Sequence, residues 1–291
     1  MSKVFRRTFR VRWCEVDRTG QVGIANHLRY LVEAAWDWGA TGGLGVDDVD
    51  TLGQIWVIRE TEVSILRSLR YNDVFDFTIW MLRWRRVRGT RAFELKHRVT
   101  GEIIALGAQE VACLDAQTLR PTTPPPYLDE HFRLDNPPVI PQRRFPRVPS
   151  PPRAAFVMEL QVEAQDVDLS DIVNNAVYAA YAEDVAARAL AATGWTPQRF
   201  KSQGLAVVTR RFHIQYQAPA VWGDRLSIVT YQLELGKSGG VRYVAVQHAP
   251  EGTGIIECVM DWSLVDRLSG EEQPLPDSLA HALEAELAIP S

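Results

Sequence analysis

One spacing dominates this sequence. Glu15-Val16-Asp17 is answered by Asp166-Val167-Asp168, Tyr71-Asn72-Asp73 by Val221-Trp222-Gly223-Asp224, and Cys113-Leu114-Asp115 by Leu264-Val265-Asp266. Asp17 and Asp168, Asp73 and Asp224, and Asp115 and Asp266 are each 151 residues apart. A spacing met three times over 291 residues points to two copies of one folding unit, each needing its own core. Matching Asn26 with Asn174 and Tyr30 with Tyr178 gives 148 instead, which predicts three additional residues, about Gly23-Ile24-Ala25, ahead of the first helix.

Between the copies lies PTTPPPYLDEHFRLDNPPVIPQRRFPRVPSPP, residues 121–152, with 11 of the chain's 17 prolines. Proline fixes φ and removes a donor, so neither a helix nor a central strand is expected there. Residues 121–153 read as a semi-rigid surface linker between domains at 1–120 and 154–268, and 269–291 as a helical tail.

Each copy reads the same way. A short alternating strand opens it, at 5–13 and 156–162. A turn carrying the acidic residue follows, then a helix over about 26–40 and 174–193. The second helix is so rich in alanine and other apolar residues that burial nearly all round is expected. β-rich runs follow at 54–66, 74–87, 90–99 and 103–114, and at 205–217, 225–236, 240–248 and 254–265. Short glycine-containing breaks suit antiparallel connections. The fold class is α+β: one helix and one antiparallel meander per module.

The composition is that of a globular protein, 46% apolar and 23% charged, with a net charge of −4. That balance argues against a general nucleic-acid or anionic-membrane partner. Three widely spaced cysteines form no CxxC pair, and six scattered histidines lack metal-site spacing, so no metal and no cofactor are expected. The N-terminal segment has no apolar signal region and no run is long enough to span a bilayer, so the expected place is the cytoplasm with reduced thiols.

Asp17-Arg18-Thr19-Gly20-Gln21-Val22 followed by Asn26-His27-Leu28-Arg29-Tyr30 resembles the opening motif of the 4-hydroxybenzoyl-CoA thioesterase-like hotdog family. The second copy, Asp168-Leu169-Ser170-Asp171-Ile172-Val173-Asn174-Asn175, is similar to the D-x-N-x-H-V-N-N segment of acyl-ACP thioesterases. Gln217-Ala218-Pro219-Ala220-Val221-Trp222-Gly223-Asp224 resembles the approach to the third strand in both groups. The resemblance covers about 1–120 and 154–268. It implies two tandem hotdog modules, each a sheet wrapped around its long helix. It also implies that they pair as an internal pseudo-dimer with active sites between them. The implied activity is hydrolysis of an acyl-CoA or acyl-ACP thioester, a step of fatty-acid or other lipid metabolism. It leaves room for further homo-oligomerisation.

Thioester hydrolysis needs a nucleophile or activated water and a group to hold the oxyanion. On this reading Asp17 supplies the carboxylate, and the amides of Gly23, Ile24 and Ala25 at the helix start supply the oxyanion site. Asn26 and Asn174 read first as helix N-caps and second as catalytic residues. His27 reads as a helix-surface residue or a site orienter. Asp168 stands in a copy whose expected Asn and His positions hold Ser170 and Ile172, so the chemistry is assigned to the first copy. Asp17 also has a simpler reading as a turn aspartate, and Cys14 as a buried thiol.

Two glycine turns, Arg88-Gly89 and Lys237-Ser238-Gly239, could hold carrier phosphates or be plain hairpin turns. Arg83, Arg85, Arg86, Arg88 and Arg91 could meet an acidic carrier protein or simply line an exposed strand face. Trp36, Trp38, Trp56, Trp80 and Trp84 read as core and acyl-tunnel residues. Two other functions fit the fold: a hydratase or dehydratase acting on acyl thioesters, and a non-catalytic acyl-binding module.

Overall fold

The computed structural model describes residues 3–45, 48 and 52–288. The chain divides into two compact units. The first runs to Val22 and resumes over Asn26–Arg143; the second takes Gly23–Ala25 and continues from Arg144.

In the first unit, strands β1 (Val4–Arg10), β2 (Gln54–Ile65), β3 (Val74–Arg85), β4 (Arg88–His97) and β5 (Ile103–Asp115) form an antiparallel sheet in the order β1-β3-β4-β5-β2. In the second, β6 (Phe156–Gln161), β7 (Leu205–Tyr216), β8 (Arg225–Leu235), β9 (Gly239–His248) and β10 (Gly254–Asp266) repeat it as β6-β8-β9-β10-β7. Each β-rich run expected from the sequence is a strand.

Side chains alternate across a strand, so one row in two faces the long helix. In the first unit these rows hold Phe75, Phe77, Ile79, Phe93, Leu95, Val63 and Ile65, all buried. Tyr30 of the first long helix (Ile24–Ala40) packs against Phe9 and Phe75, each with ring centroids 5.1 Å away. Fully burying an aromatic or aliphatic side chain of this size contributes about 1.5–3 kcal/mol.

The second long helix, Asn175–Ala192, buries Val177, Tyr178, Ala182, Val185, Ala189 and Leu190. It is not buried all round. Asp184 and Arg188 are exposed and pair at 2.7 Å across one turn, so the small alanines that raise its apolar content mask an ordinary solvent-facing side.

The two long helices start at Ile24 and Asn175, so the 151-residue spacing runs straight through them. The first copy carries no three-residue insertion. Tyr30 corresponds to Tyr181 and not to Tyr178, and both tyrosines do the same work. Tyr30 Oη donates to Glu15 Oε2 at 2.6 Å, and Tyr181 Oη donates to Asp166 Oδ2 at 2.8 Å.

The proline-rich segment is more than a tether. Pro126–Phe132 is a helix, contrary to expectation, because its proline sits at the first helical position, where no backbone donor is needed. Leu128 and Phe132 are buried, and Phe132 stacks edge-to-face on Trp38 at 4.7 Å. The tail holds the matching helix, Asp277–Glu284, with buried Leu279 and Leu283. Leu128 and Leu279 are again 151 apart, so each repeat continues through a closing helix beyond residues 120 and 268. Further on, the Pro138 carbonyl accepts from Trp80 Nε1 at 3.2 Å, and Ile140 packs with Trp80 and Ala92 on the sheet face turned away from the helix. Among the described residues no helix is long and apolar enough to cross a membrane.

Candidate functional site

The turn after β1 begins with a reciprocal cap. Arg12 N–H donates to Glu15 Oε2 at 2.6 Å, and the Arg12 guanidinium donates to Glu15 Oε1. Burial pushes the Glu15 carboxyl up, but the bonds from Arg12 and Tyr30 outweigh it and hold it below the ordinary carboxylate range. Burial, reinforced by Glu15, pushes the Tyr30 hydroxyl far up, so it stays a donor.

Asp17 stands exposed in the following turn. Its Oδ1 accepts from Thr19 N–H at 2.7 Å, Thr19 Oγ1 at 2.6 Å and Gln21 N–H at 3.3 Å. Gly20 takes φ +81°, a left-handed conformation that a side chain would strain. The described bonds of Asp17 are those of a turn aspartate. Asp168 holds its own turn through Ser170 N–H at 2.9 Å and reaches the second helix by accepting from Asn174 Nδ2 at 3.0 Å.

Asn174 is an N-cap: its Oδ1 accepts from Ala176 N–H at 2.9 Å. Asn26 is not. It lies inside the first helix, and its Nδ2 donates to the Glu15 carbonyl at 2.8 Å, tying the helix to the preceding turn. Gly23, which precedes the first helical residue, has no side chain with which to cap. A carboxylate from the second helix fills that place. Ile24 N–H donates to Glu183 Oε1 at 2.8 Å and Ala25 N–H lies 3.4 Å from Oε2. A β-carbon on Gly23 would meet Glu183 Oε1 at 2.7 Å, so only glycine admits this approach. Gly23, Ile24 and Ala25 all group with the second unit, as Glu183 does.

Glu183 was not among the residues singled out from the sequence. Nothing local marks it: it is one acid beside Asp184 on a helix, and its target lies 159 residues away. At the matching position, 151 residues earlier, the first helix has Val32. His27 lies buried rather than on the helix surface, because it occupies the position held by buried Tyr178 in the second helix. Tyr178 Oη there accepts from Ala220 N–H at 3.2 Å.

The glycine turns are built into the sheets. A β-carbon on Gly239 would stand 2.0 Å from the Trp262 carbonyl oxygen, and one on Gly89 2.6 Å from the Trp84 ring. Ser238 Oγ donates to Glu272 at 3.1 Å, and the Lys237 carbonyl accepts from Leu275 N–H at 2.7 Å. Arg88 pairs with Glu110 at 3.2 Å. Arg83, Arg85, Arg86 and Arg88 are exposed, whereas Arg91 bonds Gln109 on the helix-facing side, because strand alternation turns it inward. Cys14 is exposed, since its turn faces solvent, while Cys113 and Cys258 are buried. Of the tryptophans, Trp38 and Trp80 are buried, Trp56 and Trp84 meet edge-to-face at 5.4 Å, and Trp36 lies on the exposed helix side.

An antiparallel sheet on one long helix, made twice, defines the class. The chain belongs to the thioesterase-like superfamily, whose sequence profile matches residues 11–132 and again 162–283. Both matches include the closing helix, and they begin 151 residues apart. The fold is the double hotdog. An acyl-[acyl-carrier-protein] hydrolase of Cuphea viscosissima chloroplasts is 24% identical over 187 residues, 60% of this chain and 45% of that protein. The match thus spans less than half the length of that relative. Among solved structures, a putative oleoyl thioesterase of Lactobacillus plantarum superimposes with TM-score 0.76 at 18% identity, covering 94% of this chain and 97% of the other. The 12:0-ACP thioesterase of Umbellularia californica gives 0.73 at 19% identity, covering 91% and 98%. An acyl-ACP thioesterase of Bacteroides thetaiotaomicron gives 0.72 at 19%, covering 90% and 100%.

Proposed function

We propose that the chain is an acyl thioesterase that converts an acyl thioester and water to a free acid and a thiol. One observation carries this reading: the Glu183 carboxylate lies on the amides of Ile24 and Ala25. Those amides and the positive end of the helix dipole favour an anionic oxygen. A thioester carbonyl oxygen takes the amides in its place as charge develops on it. Glu183, displaced by a small side-chain rotation, accepts a proton from water. The hydroxide adds to the carbonyl carbon, the C–S bond breaks, and the proton passes to the leaving thiolate.

Three of the four matched proteins are named for acyl-carrier-protein substrates, and the exposed Arg83, Arg85, Arg86 and Arg88 offer charge complementarity to an acidic carrier. We therefore favour a carrier protein over coenzyme A. The free thiols of Cys14, Cys113 and Cys258 are consistent with the cytoplasm.

A second reading keeps Asp17 as the base, with Asn26 and His27 beside it, and is favoured by the exposure of Asp17 ahead of the first helix. Thiol release from acyl-CoA and acyl-carrier panels separates the two. Glu183→Gln removes ~10²–10⁴-fold of the rate if Glu183 is the base, while Asp17→Asn and Asp168→Asn do not. Loss in Asp17→Asn alone, with thermal stability unchanged, would move the base to Asp17. Hydration of an unsaturated acyl group without thiol release, or binding without turnover, would replace the thioesterase reading altogether.

A further inference from the structure

One row crossing the first sheet departs from its surroundings. Register places Met81, Arg91, Gln109 and Thr61 side by side on β3, β4, β5 and β2, on the face that carries Phe77, Phe93 and Leu95. The next row, Ile79, Phe93, Gly107 and Val63, is wholly apolar. The Arg91 guanidinium donates to Gln109 Oε1 through Nε at 2.8 Å and through Nη2, and Gln109 Nε2 donates to Thr61 Oγ1 at 2.8 Å. Gln109 is 2% exposed and Thr61 0%. Burial lowers the Arg91 pKa to about 10.

The row lies toward the C-terminal end of the first long helix. Tyr30, in the second turn, packs on Phe75, whereas Trp38, near the end, packs on Phe132, whose neighbour Arg133 pairs with Met81.

The second copy serves as an internal comparison. Arg242 occupies the equivalent position, between Gln232 and Met260, with Phe212 beyond. There the cation is neutralised: Arg242 Nη2 donates to Glu286 at 2.9 Å, and both side chains are buried. Gln109 and Thr61 are replaced by apolar Met260 and Phe212 in that row. In the first copy no carboxylate among the described residues pairs with Arg91. Arg91 itself is half-buried; drawing a cation partly out of water without a counter-charge still carries a cost, and one carbonyl oxygen leaves most of the guanidinium's five N–H donors over.

We propose that Arg91, held by Gln109 and Thr61, is a carboxylate-binding subsite, and that the acyl groups this chain takes carry a second carboxylate. A planar carboxylate matches the guanidinium fork and supplies the charge that Glu286 supplies to Arg242. This rests on the thioesterase reading for its substrate, though the binding itself does not.

Calorimetry with decanedioate and with decanoate tests it without turnover. The wild-type chain binds the diacid at least about tenfold more tightly, and Arg91→Met abolishes that preference. Gln109→Glu places an acid beside Arg91, copies the pairing of the second module, and abolishes it too in a chain whose melting confirms folding. Equal binding of the two acids by the wild type, or a preference kept in both variants, overturns the proposal. A preference that holds while no thioester on either carrier releases thiol leaves the subsite standing and removes the thioesterase.

Discussion

A β-carbon on residue 23 would stand 2.7 Å from Glu183 Oε1, so the missing side chain of Gly23 and the position of the Glu183 carboxylate are one feature. Gly23→Ala should push the carboxylate off the amides of Ile24 and Ala25. The cost in stability at a helix start is about 0.5–1 kcal/mol. The cost in thiol release should be on the order of 10²-fold, as for a catalytic group misplaced by an ångström. Steady-state rates beside a thermal melt check this; an unchanged rate would remove Glu183 from the chemistry.

The Glu15 cluster predicts a pH dependence. Its carboxyl titrates below the ordinary value of 4.5 in the folded chain, so its contribution is present above that value and lost as pH falls through the lower folded one. Urea melts of wild type and Glu15→Gln should differ most near neutral pH, by roughly 1–3 kcal/mol for a buried charged hydrogen-bonding group. They should converge in acid. A constant difference down to strongly acidic pH would mean that the effect is one of packing.

The closing helices predict a mutational signature. Leu128→Ala and Leu279→Ala each remove a buried side chain, 1% and 0% exposed, and should each cost about 2–5 kcal/mol. A plain linker would give no change at Leu128. Denaturant midpoints of the two variants decide it.

The Arg242–Glu286 pair predicts a large loss. With side chains 3% and 7% exposed, Glu286→Gln leaves a buried cation unneutralised and should destabilise the second module by about 3–5 kcal/mol. A double variant, Arg242→Met with Glu286→Leu, should recover most of it. Equilibrium unfolding of the single and double variants tests both.

Most of the fold was legible because alternation and turn chemistry are local properties. The strands followed from β-rich runs separated by glycine-containing breaks, the second helix from its apolar run and Asn174 cap, and the duplication from one repeated spacing. Two expectations failed for different reasons. Asn26 and Asn174 look alike in sequence, so aligning them invented three residues. Their side chains differ in what they bond, the Glu15 carbonyl in one case and Ala176 N–H in the other. The proline-rich segment was read by composition, which hid a seven-residue helix whose single proline sits where a helix tolerates it.

The sequence by itself determined two modules and their order of elements, because those follow from the repeated spacing and from patterns within a few residues of each position. It marked Asp17 and Asp168, whose described bonds are satisfied within six residues. Only the tertiary structure decided that Glu183 meets Ile24 across 159 residues, and that Arg91 and Arg242, alike in the repeat, differ in having a carboxylate at hand. A side chain's partner through space depends on how the sheets and helices are stacked, and no local pattern in the chain records that.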